Sequence, residues 1–95
     1  MEVKTFKFTN GDEIMGRVVE WSDDVTYKVE KPRGLLPQNM GNGQVGIAFV
    51  PWVISNPDGA VEILKSALAM TPMSPSKEME DAYLSQTTGL QLVTG

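Results

Sequence analysis

Few side chains in this sequence suit bond-making chemistry. Its 95 residues include no histidine and no cysteine, which removes the commonest general base, the commonest zinc ligand, thiolate metal sites and disulfides. The adjoining carboxylates are Asp23 with Asp24, and Glu78 and Glu80 with Asp81. Neighbours on a strand point to opposite faces, and in a turn they are solvated, so Asp23 and Asp24 do not read as a pair sharing a proton. The later group suits the positive end of a helix dipole better than a metal. Gly41-Asn42-Gly43 lacks the lysine and the strand-to-helix context of a phosphate cradle. The expectation is a binding or structural protein, not an enzyme, with no cofactor and no metal.

Charge narrows the partners. Eight Lys and Arg stand against twelve Asp and Glu, a net charge of −4, the opposite of the basic footprint of a dedicated nucleic-acid binder. No stretch has the eighteen consecutive apolar residues of a membrane span, and MEVKTFKF has no long apolar run of an export signal. A soluble, cytoplasmic protein with no membrane partner is expected. A chain of this length forms one domain with a modest core, so stability alone favours assembly.

The elements that would position any site centre on Phe6 to Val29, FKFTNGDEIMGRVVEWSDDVTYKV. Phe6 and Phe8 alternate with Lys7 and lead into Thr9-Asn10-Gly11-Asp12, a hairpin signal in which Gly11 can take positive φ. Residues 12 to 21 read as a second strand, with Gly16 near its middle, where a missing side chain permits a bend or bulge. Its faces, Ile14, Gly16, Val18 and Met15, Arg17, Val19, Trp21, are apolar on both sides, which calls for cover from the protein's own barrel or a neighbouring subunit. Residues 25 to 31 alternate as a third strand that Pro32 should end. PRGLLPQNMGNGQ reads as a long loop. Val45 to Ser55 is nearly continuous apolar and reads as a strand enclosed on both faces, with Pro51 marking a bulge or an edge that a partner would cap. Asn56-Pro57-Asp58-Gly59 is a turn, and Ala60 to Leu64 returns as a strand, with strand or helix open for residues 65 to 69. Ser74 before Pro75, or alternatively Ser76, caps a helix running to about Gln86, with Met79, Ala82, Tyr83 and Gln86 on one face. Leu90 to Val93 either adds a short strand or stays loose.

The first twenty-nine residues resemble the first motif of the Sm and Sm-like proteins: an apolar strand, Asn10-Gly11, Gly16, Val18, Trp21, an aspartate-bearing turn and Val25. The resemblance covers about residues 3 to 69, and the PWV segment with the Tyr83 tail is similar to small phage-encoded members. It implies a mainly β fold, a small, strongly bent five-stranded barrel over residues 1–69 with a C-terminal tail and short helix over 70–95. It also implies a cyclic homo-oligomer, a pentamer or hexamer in rings of roughly five to eight copies, in the cytoplasm of a phage-infected bacterial host. The family aspartate falls at Ser22, and its uracil-contacting asparagine falls at Thr26, which lacks the paired donor and acceptor of an amide. The second family motif has a loose counterpart in Ile63 to Leu68, with Lys65 its sole cation. On this resemblance the chain is a single-stranded RNA-binding module using Thr26, Tyr27 and Lys65, one aromatic for stacking and one cation for phosphate. The alternative is a structural or adaptor ring that binds a host or phage protein without RNA. In either case Val45, Ile47, Phe49, Trp52 and Ile63 are the expected interface between copies.

Overall fold

The computed structural model describes residues 2–20 and 24–88. Five antiparallel strands form one sheet: β1 (Glu2–Lys7), β2 (Glu13–Glu20), β3 (Thr26–Gly41), β4 (Gln44–Pro51) and β5 (Ala60–Leu64). A short 3-10 turn (Lys65–Ala67) follows, and one helix, α1 (Lys77–Thr87), closes the described chain. The mainly β architecture with a C-terminal helix agrees with the sequence reading. Trp21, Asp23 and the Leu90 to Val93 segment lie outside the described residues.

The strand order is β1-β2-β3-β4, with β5 also paired to β3. β3 therefore serves two strands on one edge: Thr26 to Glu30 pairs with β5, and Arg33 to Gly41 pairs with β4. Single bridges, Phe8 with Leu68 and Thr5 with Met73, bring the chain after β5 against β1. No ladder joins β5 to β1 among the described residues, so strand pairing does not close the sheet.

The first turn forms as its residues dictate. Gly11 has φ of 98°, and the Asn10 side chain accepts from the Asp12 amide at 2.9 Å, a local bond characteristic of asparagine in turns. The irregularity at Gly16 is also present, but the extra residue falls on its partner strand. Met15 pairs with Arg33 and Arg17 with Glu30, so Gly16 faces both Lys31 and Pro32 in a bulge. A Cβ at Gly16 would overlap the Val29 Cγ1 methyl.

The third strand runs through Pro32 to Gly41, and the expected loop of residues 32 to 44 is instead a two-stranded ribbon. Its turn is Asn42-Gly43, with φ of 52° and 75°, the pair of positive values that a two-residue hairpin loop of this twist requires. Pro32 is tolerated because it sits at the bulge. Pro37 lies beyond the last β2 pairing at Gly34, where β3 has an edge that needs no donor. The strand expected from Val45 to Ser55 spans Gln44 to Pro51 and is not enclosed: Val45 is 73% exposed and Ile47 45%.

β2 is covered on both faces, as its sequence demanded, but by two elements of its own chain. On one face Phe6, Phe8, Ile14, Val18, Val29 and Ile63 form a core, with Ala67 and Leu68 packed against it and Trp52 stacked on Phe8 at 5.4 Å. On the other, Val3 and Met15 pack with the fully buried Tyr83 of α1, flanked by Leu35, Phe49, Met79 and Leu84. The buried side of α1 is Tyr83 and Thr87; Ala82 and Gln86, expected on that side, are exposed. Ser76 is the cap, accepting from the Met79 amide at 3.3 Å, while Ser74 accepts from Lys4 Nζ at 2.9 Å. Replacing Ser76 by alanine should destabilise the protein by about 1 kcal/mol, measured by urea denaturation against wild type.

Candidate functional site

Tyr27 and Lys65 meet because β5 returns antiparallel along β3, placing Ile63 opposite Tyr27 and the 3-10 turn just beyond it. Lys65 Nζ lies 4.7 Å from the Tyr27 ring centroid, a cation–π distance. The ring also packs against Phe6, with centroids 6.0 Å apart. Thr26 belongs to the opposite face of β3, by strand alternation. Its hydroxyl donates to the Glu62 carboxylate at 3.1 Å. The structure thus brings two of the three proposed RNA-contacting residues together and sets the third beside an acidic group. The surroundings of Thr26 are mixed in charge: Lys28 pairs with Glu62 across the ladder, and Arg17 lies 3.8 Å from Glu30.

The residues expected at an interface divide into three settings. Val45, Ile47 and Phe49 alternate along one face of β4, opposite Asn39, Pro37 and Leu35 of β3. Phe49 is half-buried at the ribbon root, edge-on to Tyr83 with centroids 6.3 Å apart, while Val45 and Ile47 extend beyond it. Trp52 follows β4 and stacks on Phe8. Ile63 is 2% exposed within the core, so it stabilises the protomer and offers little to a partner. Leu36 and Met40 of β3 add exposed apolar surface. Among the described residues β4 pairs only with β3, which leaves its outer edge with unpaired backbone groups and no charged side chain from Gln44 to Pro51. An open groove of about 540 Å³ lies at the ribbon's base, lined in part by Ile14, Gly34, Leu36, Val50 and Trp52.

Three further contacts hold these parts in place. Arg33 donates to Asp58 Oδ1 and to the Pro57 carbonyl, each at 2.6 Å, pinning the loop after β4 to β3. That hydrogen bond holds the Asp58 carboxyl below its usual pKa. Lys31, at φ of 52°, donates from Nζ to the Thr87 carbonyl at 2.7 Å, where a cation complements the helix C-terminus. The Tyr83 hydroxyl donates to the Lys31 carbonyl at 2.7 Å. The sequence reading missed the Arg33 and Lys31 contacts, which no local spacing signals.

Burial pushes the Tyr83 phenol up to about 12 from an ordinary 10.0. The fold favours the neutral phenol, so its contribution is complete below about pH 10 and is lost as pH rises toward about 12. Between pH 8 and pH 11 the expected loss is about 1–2 kcal/mol. Unfolding free energies of wild type and Tyr83→Phe, measured at pH 8 and pH 11, should converge at the higher pH.

Glu78 and Glu80 lie in the first turn of α1, and Asp81 pairs with Lys77 at 3.5 Å. Among the described residues no cluster of His, Cys, Asp and Glu could hold a metal ion, and no helix is long and apolar enough to cross a membrane. No protein-family model matches the sequence, and no curated protein matches it.

Proposed function

We propose that this chain is an Sm-like module that closes into a cyclic homo-oligomer and acts as an adaptor ring for protein partners. The observation that carries this reading is the outer edge of β4, long, uncharged and unpaired, with Val45 and Ile47 exposed beside it. Such an edge aggregates unless a strand covers it, and the simplest cover is another copy. In the Sm-like arrangement residues 1–69 form a small bent barrel, residues 70–95 form the tail, and β4 of one copy pairs with β5 of the next. The Phe8–Leu68 bridge, which draws the end of the β5 segment onto β1, supports that closure.

A second reading, single-stranded RNA binding, is favoured by the Tyr27–Lys65 pair, since a stacking ring and a phosphate-binding cation stand together. Against it, Lys65 covers the ring, Thr26 bonds Glu62, and the net charge is −4. Sedimentation of the purified chain with and without oligouridine in low salt separates the readings. The adaptor reading expects a multiple of the protomer mass that oligouridine leaves unchanged. Binding that weakens with salt and disappears in Lys65→Ala would establish the RNA reading, and a protomer at every concentration would remove the ring from both.

A further inference from the structure

The two ladders that share one edge of β3 meet at a joint. β4 ends at Pro51 opposite Arg33 and β5 begins at Ala60 opposite Glu30, while Lys31 and Pro32 take no place in any ladder register. The backbone turns there through the left-handed φ of Lys31, and Gly16 across from it offers no side chain to prop the bulge. Only two pairs of β2, Ile14 with Gly34 and Met15 with Arg33, tie the root of the β3–β4 ribbon to the rest of the sheet, and from Leu35 to Gly41 β3 pairs with β4 alone. Two strands alone are marginal in water, so the ribbon needs support from elsewhere.

Helix α1 bonds to the backbone at this joint and packs on the strands beside it. Tyr83 donates to the Lys31 carbonyl at 2.7 Å, and its hydroxyl lies 3.4 Å from the Glu30 carbonyl. Lys31 Nζ reaches back to the Thr87 carbonyl. The same helix packs on Val3 of β1 and Met15 of β2, and on Leu35 and Phe49 at the root of the ribbon. We propose that α1 is a brace, with Tyr83 and Lys31 as positioning residues, and that assembly through β4 requires the helix to be docked. The assembly half of this inference rests on the self-association reading above. It makes the tail a control point, because anything that draws α1 off the sheet would loosen the β4 edge while the other strands persist.

The test uses the full chain with Tyr83→Phe, which keeps the ring and removes the hydroxyl, and Lys31→Gly, which accepts positive φ and removes the ammonium group. Amide hydrogen exchange across Leu36 to Val50 should quicken roughly fivefold in each, the scale of one lost hydrogen bond, with β1, β2 and β5 unchanged. Sedimentation should show a matching loss of assembly. Unchanged ribbon exchange, or acceleration spread evenly over the whole sheet, would overturn the brace. If wild type assembles and both variants assemble equally well, the control role fails and the self-association reading stands. If wild type never assembles, that reading fails and takes the control role with it, while the exchange pattern still decides whether the helix braces the ribbon.

Discussion

Ile47→Lys is expected to weaken self-association by more than about a hundredfold, corresponding to about 3 kcal/mol for each interface that must bury an unpaired ammonium. Ile47 lies on β4 opposite Pro37, and 45% of its surface is exposed in the protomer. The same substitution should therefore cost the isolated fold under about 1 kcal/mol, since little burial is lost. The separation of these effects is the informative part. Sedimentation equilibrium should report the protomer mass at concentrations where wild type is assembled, while thermal unfolding of the variant stays cooperative. A surface residue with no partner would leave both measurements near wild type.

Gly16→Val should destabilise the protomer by about 3 kcal/mol or more, at the upper end of the cost of overpacking. Gly16 faces the Lys31-Pro32 bulge, and even a single methyl there would overlap Val29 Cγ1, with the Glu30 carbonyl oxygen 3.5 Å and Pro32 Cα 3.6 Å away. Val29 is fully buried in the core, so it cannot swing aside without opening a void. A valine also places two further methyls against a backbone that has no room for them. The midpoint of urea unfolding should fall sharply with the slope unchanged. A variant as stable as wild type would mean that the bulge adapts and that glycine is incidental there.

The residues that announced their structure most clearly are those whose local chemistry admits one solution. Asn10-Gly11 and Asn56 to Gly59 turn as their residue types favour, whereas the helix cap is the alternative Ser76 and not Ser74, because the Ser76 hydroxyl reaches the Met79 amide. The same reasoning applies to Asn42-Gly43, yet the prolines on either side of Leu35-Leu36 made that stretch read as loop. What licenses those prolines is tertiary: one falls in a bulge created opposite Gly16, the other on a stretch that β2 no longer pairs. Neither condition is visible in sequence order. The apolar run of β4 was legible as a strand, but apolar composition does not say whether its cover comes from the same chain. The proposed site behaved similarly. The approach of Lys65 to Tyr27 follows from an antiparallel return, whereas the Thr26 bond to Glu62 depends on a register that only the folded ladder defines. Ile63, one position along β5 from the partner of Thr26, alternates into the core.

The most direct test of the central claim, that the outer edge of β4 is covered by a second copy, is amide hydrogen exchange of Gln44 to Val50 followed by dilution alongside sedimentation. β4 bonds to β3 through alternate amides, so the informative set is those that face away from β3. If a second copy covers the edge, these amides are protected when the chain is assembled and lose protection together with the oligomer as concentration falls, while amides of β1 and β2 keep theirs. Outward amides that exchange freely at every concentration, with only the protomer mass observed, would contradict it.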